Sequence, residues 1–131
     1  MKFLLMMSFA GKSDYAFKDW AAKDVEAHMR FLEALNEELR AAGELVGIEA
    51  LTSPTRAKLV RAGENGKPVT DGVFPETKEF LAGFWKIDVE NEERAYAIAA
   101  KASNAPGPNG VPLRLGIEVR EIMRGPSGDL E

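Results

Sequence analysis

The groups able to do chemistry gather in one short stretch and at a few outlying positions. Residues 70–79, TDGVFPETKE, hold Asp71, Glu76, Thr77, Lys78 and Glu79 around one proline and one phenylalanine. The single histidine is His28, and Trp85 and Arg114 stand further off. Asp71 or His28 can serve as a base, since a carboxylate or an imidazole takes up a proton when its surroundings bring its pKa near the working pH. Lys78 or Arg114 can steady an anion. Trp85, with Trp20 and Phe84, can wall a small apolar pocket. Together these groups describe proton transfer, of isomerase or lyase type, on a small anionic molecule.

Each residue also has a structural reading. Asp71 and Gly72 suit a turn in which the carboxylate accepts nearby backbone N–H groups. Thr77 and Lys78, flanked by Glu76 and Glu79, can lock the loop through hydrogen bonds, with Phe74 buried as its anchor. His28 lies on the edge of a helical apolar stripe and suits a partly buried place there. The aromatic residues suit a core. No nucleophile–base pair emerges, so a non-catalytic binding or regulatory module is favoured over an enzyme.

Composition removes other chemistries. There is no cysteine in 131 residues, which excludes disulfides, thiolate nucleophiles and cysteine-bearing metal sites. With one histidine, a zinc site would need three or more carboxylates, and neither metal nor cofactor is expected. Seventeen basic and 21 acidic residues give a formal charge of −4 with no long basic run, so nucleic acid is not an expected partner. The chain has no Gly-rich phosphate loop, no Gly-x-Ser-x-Gly elbow and no His-Glu-x-x-His. The opening MKFLLMMSFAG is too short to span a membrane and reads better as a buried strand than as a leader. A cytoplasmic protein is expected.

The elements that must position these groups follow from periodicity. Residues 2–9 are apolar on both alternating faces, the mark of a central strand covered on both sides. Residues 19–42 read as the main helix, with Asp19 as N-cap, a stripe of Val25, Met29, Leu32, Leu35, Leu39 and Ala42, and Gly43 as C-cap. Residues 44–51 make a second strand. Residues 56–71 form a hairpin around Asn65-Gly66. Residues 80–89 are again apolar on both faces, with Leu81, Trp85, Ile87 and Val89 on one and Phe80, Ala82 and Phe84 on the other. Asn91 caps a second helix, 92–103, with Ala95, Ile98, Ala99 and Ala102 facing inward. A proline-rich loop, 104–112, leads to the last strand, 113–123, where Leu113, Leu115, Ile117 and Val119 face in and Arg114, Glu118 and Arg120 face away. One domain, 1–124, and a frayed tail, 125–131, account for the chain. The order predicts an α+β, ferredoxin-like βαββαβ protomer with an added hairpin. Both helices then cover one sheet face, and a second copy of the chain is expected on the other.

The segment from Thr70 to Glu79, followed by Gly83-Phe84 and Ile87-Asp88-Val89, resembles the DGPF-type branch of the YCII-related family. Asp71, Gly72 and Phe74 match the Asp-Gly-Pro-Phe element, with Val73 in place of its proline. Glu76, Thr77, Lys78 and Glu79 match its Glu-Thr-Lys-Glu element. The opening strand, residues 38–51 and residues 117–122 fit as well. The resemblance implies a homodimeric α+β barrel. Some members of that family are linked to sigma factors, and others carry a His–Asp pair proposed as catalytic. The sole histidine here stands inside the first helix rather than at its start.

Overall fold

The computed structural model describes residues 1–10, 17, 19–72 and 79–125. The chain runs through β1 (Lys2–Ala10), α1 (Ala22–Ala41), β2 (Leu45–Ala50), β3 (Lys58–Ala62), β4 (Pro68–Gly72), β5 (Glu79–Asp88), α2 (Glu92–Ser103) and β6 (Ile117–Glu121). Short 3-10 turns occupy 54–56, 64–66 and 108–110. The fold is mixed α+β. Four strands form one antiparallel sheet in the order β2-β5-β1-β6, and β3 and β4 pair as a separate hairpin. The expected tail falls mostly on 126–131, outside the described residues. No described helix is long and apolar enough to cross a membrane.

β1 takes the central place that its composition calls for. Phe3, Leu5 and Met7 stand opposite Ile87, Trp85 and Gly83 of β5. Phe3, Leu5, Trp85 and Ile87 are buried with Leu35 and Leu39 of α1 and with Ala95, Ile98, Ala99 and Ala102 of α2. Both helices therefore cover the same sheet face. The alanines of α2 leave room for its backbone to approach the sheet, while Leu5, Leu39 and Ile87 fill the centre. Each large side chain buried in this way contributes about 1.5–3 kcal/mol. On the opposite face Leu4 and Met6 are only half-buried, among Lys86, Arg120, Phe84 and Glu118.

The helix ends follow local chemistry where that chemistry is present. Asn91 caps α2, its side chain accepting from the Arg94 N–H at 2.9 Å. Gly43, at φ +70°, closes α1. Its N–H bonds the Arg40 carbonyl and that of Glu44 bonds the Leu39 carbonyl, the two hydrogen bonds of a Schellman motif. The start of α1 differs from expectation. Asp19 is exposed, the helix begins at Ala22, and Ala21 precedes it with no side-chain cap.

Two inward faces also differ. The register of β1 on β5 slips between Met7 and Ser8, leaving Ala82 as an extra residue. A bulge of this kind exchanges the two faces beyond it. Leu81 is accordingly 37% exposed and Ala82 8%, the reverse of strict alternation. In α1 the buried residues are Asp24, His28, Leu35 and Leu39, whereas Met29 is exposed. The first half of this helix packs on a loop and two aromatic residues rather than on the sheet, and this turns its inward face by one residue. The last strand is shorter than expected, because Arg114 adopts φ +53° and residues 113–116 lie outside any ladder.

Candidate functional site

The β5 bulge, the end of β2, the first half of α1 and the segment after α2 enclose a cleft of about 910 Å³. Small residues on its walls create the space. Gly83 lies at the bulge, and a Cβ built there would stand 2.8 Å from the Glu49 carbonyl oxygen, so only glycine allows β2 to approach so closely. Ala82, Ala102 and Ala105 hold back from the same cavity. Ser103 donates its hydroxyl to the Leu115 carbonyl at 2.6 Å and ties the segment before β6 to the end of α2.

Two walls are rigid. Trp85 is buried, and its indole N–H donates to Asn36 Oδ1 at 2.8 Å, which satisfies its polar atom and fixes the ring. The same lining holds an aromatic group around His28. The imidazole packs edge-on to Trp20 at 5.4 Å and tilted against Phe17 at 5.1 Å, while Phe17 and Trp20 meet each other at 4.9 Å. Phe17 holds φ +65°. A bulky residue in that region costs of order 1–3 kcal/mol and persists where its surroundings hold it.

His28 is the site's one described imidazole and is 4% exposed. Its Nδ1 lies 2.9 Å from the Pro106 carbonyl oxygen. A carbonyl only accepts, so Nδ1 carries the proton, and in the neutral ring Nε2 is left with a lone pair. Nε2 makes no hydrogen bond to a described residue. Asp24, one turn earlier on the same helix face, is 8% exposed, and its carboxylate forms no hydrogen bond or ion pair with a described residue. It does not line the cleft. The group that orients His28 is thus a backbone carbonyl, not a carboxylate. The carboxylates that do line the cleft are Asp19 and Glu49.

Of the residues singled out in the sequence, His28 and Trp85 come together in this cleft, with Trp20 beside them, while Phe84 borders it from a strand position that pairs with Met6 on the opposite sheet face. Asp71 lies elsewhere, exposed on β4, where its carboxylate accepts from the Gly72 N–H at 3.0 Å. Glu79 is exposed at the start of β5, opposite Ala10. Arg114 is exposed and does not line the cleft. Glu76, Thr77, Lys78 and Phe74 lie outside the described residues. His28 itself is buried, not at a stripe edge. Sequence reasoning missed Phe17 and Pro106. A backbone carbonyl leaves no signature in a sequence, and Phe17 owes its place to an unusual backbone angle. Among the described residues no cluster of three or more acidic or histidine groups is placed to hold a metal.

Away from the cleft, Arg94 of α2 grips Glu44, just before β2, through Nε and Nη2 at 2.9 and 2.8 Å. The hydrogen-bonded Arg94 guanidinium holds the Glu44 carboxyl below its ordinary range, and the same bond to the Glu44 carboxylate raises the Arg94 pKa, with burial opposing both. This pair joins helix to sheet and takes no part in the cleft.

Comparison with known proteins agrees in kind over nearly the whole chain. The model of the YCII-related domain matches residues 1–123. An uncharacterized protein of Rhizobium meliloti (strain 1021) is 36% identical over 86 residues, which span 66% of this chain and 69% of the relative. The chain belongs to the YCII-related family.

Proposed function

We propose that this member of the YCII-related family is a small-molecule-binding protein whose ligand seats in the cleft beside His28. The observation that carries the reading is the cleft itself: a large cavity with aromatic walls and one buried polar side chain, His28, whose Nε2 is bonded by no described residue. Pockets that are mostly apolar with a few placed polar groups are the usual form of a ligand site. A binding or regulatory role is preferred because no described carboxylate or hydroxyl hydrogen-bonds to the imidazole.

The only tryptophans of the chain, Trp20 and Trp85, both line the cleft, so their fluorescence reports occupancy. The neutral apolar probe N-phenyl-1-naphthylamine is expected to quench them with saturable, one-to-one behaviour. Thr55→Trp, placed at the exposed rim, is expected to weaken that binding several-fold. An absence of saturable quenching, or binding indifferent to the rim substitution, would sink the proposal.

One observation favours a catalytic alternative. An imidazole whose Nδ1–H is pinned presents Nε2 as a general base, and this suits the proton-transfer reading. Asp71 takes no part in that version, since it lies outside the cleft.

At the level of the whole protein, the strand order and the two helices on one face fit a ferredoxin-like protomer of the DGPF-type branch. The half-apolar opposite face, with Leu4, Met6 and Phe84, supports a homodimer of the α+β barrel kind.

A further inference from the structure

We infer that the cleft selects an uncharged, apolar molecule carrying an O–H or N–H donor, which His28 Nε2 accepts; this deepens the binding reading and rests on it. The first step is the fixed tautomer. The Pro106 carbonyl 2.9 Å from Nδ1 requires a proton there, which leaves Nε2 an acceptor in the neutral ring. The second step is burial. His28, 4% exposed, lines the cleft, and no described residue hydrogen-bonds its Nε2. A ligand that displaces water from the cleft without bringing a donor leaves this acceptor unpaired, at a cost of about 1–3 kcal/mol, and one that brings a donor does not. Phe17 and Trp20 pack against the ring and restrain it from turning away.

The third step concerns charge. The ionisable residues that the described lining contributes, besides His28, are Asp19 and Glu49, both acidic. Both are exposed, and Glu49 pairs with Phe84 on the opposite sheet face, so the interior of the cleft is set by its mostly apolar lining, against which an unpaired carboxylate or phosphate is costly to bury. With Arg114 off the lining and Lys78 outside the described residues, the ligand inferred for this cleft is a neutral one. A molecule that lacks the donor leaves Nε2 unpaired and binds less well, because rejecting an analogue without its hydrogen-bonding group is where polar sites discriminate most strongly.

Three probes of one shape separate these ideas: 2-naphthalenemethanol, its methyl ether and 2-naphthoate. Calorimetry is expected to rank the alcohol about tenfold tighter than the ether, the worth of one hydrogen bond, with the naphthoate weakest. Because the chain has one histidine, ¹⁵N spectra of the imidazole are unambiguous. They are expected to show a protonated Nδ1 and a bare Nε2, with the Nε2 resonance moved by the alcohol and not by the ether. His28→Phe is expected to abolish the preference while keeping binding of the ether; the spectra of the unaltered protein decide the matter should that variant not fold. Equal binding of alcohol and ether, a protonated Nε2, or tighter binding of the naphthoate would overturn this inference and leave the cleft as a ligand site. Failure of all three probes to bind would overturn both.

Discussion

At the scale of single residues, the chain was legible wherever one residue answers to its immediate neighbours. Asn91 could be read as a cap and Gly43 as a helix stop because the groups they satisfy lie within a turn of them. His28 could not be placed that way. Its partner is a carbonyl 78 residues distant, and its ring neighbours depend on the backbone of Phe17. Nor did Asp71 and Arg114 announce that they would stand outside the cleft, since distance between elements is a tertiary property. Gly83 is the residue at which local and distant demands meet. Gly83→Ala puts a methyl group 2.8 Å from the Glu49 carbonyl oxygen, and backbone on both strands must shift to admit it. The expected cost is about 1–3 kcal/mol, read as a lower urea midpoint at unchanged slope. The same variant narrows the cleft, so probe binding is expected to weaken as well. A variant as stable as the parent would show that β2 yields freely at this point.

At the scale of elements, α2 followed its 3.6-residue period, with all four predicted inward residues buried, because it lies wholly on the sheet. α1 followed its period only in its second half, where it too meets the sheet. β5 departed from strict alternation at Ala82, and the glycine beside it was the available sign, since glycine inside a strand often marks a bulge. What clamps α2 to the start of β2 is the Arg94–Glu44 pair. The hydrogen-bonded guanidinium lowers the Glu44 pKa in the folded protein, and a lowered carboxylate pKa means that the unfolded chain binds the proton first. The stability this contributes is therefore fully present above the ordinary glutamate range and is lost as pH falls through the folded value. Glu44→Gln is expected to cost about 1 kcal/mol at pH 7. The difference from the parent should shrink below about pH 4, near the unperturbed glutamate value. Urea melts at several pH values measure it, and a cost that persists unchanged in acid would contradict the assignment.

At the scale of the whole molecule, the element order was readable because apolar periodicity and turn residues mark each strand and helix. What covers the second sheet face was not, for a sequence records that a face is half apolar without saying what meets it. The face in question mixes Leu4, Met6 and Phe84 with Lys86, Glu118 and Arg120. On the single chain Glu118 and Arg120 are exposed, 3.9 Å apart, where an ion pair is worth little. We propose that two copies meet across this face, and the composition then sets a condition. The apolar residues gain by being covered, but each charged group must find a partner or stay at a wet rim, since an unpaired charge at an interface costs more than a buried methionine returns. Met6 is the sharper test of the two kinds of residue. It sits on the central strand, half-buried and opposite Phe84. Met6→Asp puts a charge in the middle of the proposed contact without entering the core formed by Phe3 and Leu5. Light scattering coupled to size exclusion is expected to show a dimer for the parent and a monomer for the variant at the same micromolar concentration. The variant should keep probe binding if the cleft is complete within one chain. A parent that elutes as a monomer would remove the dimer from the account and leave the His28 cleft untouched, because every group that forms it belongs to one protomer.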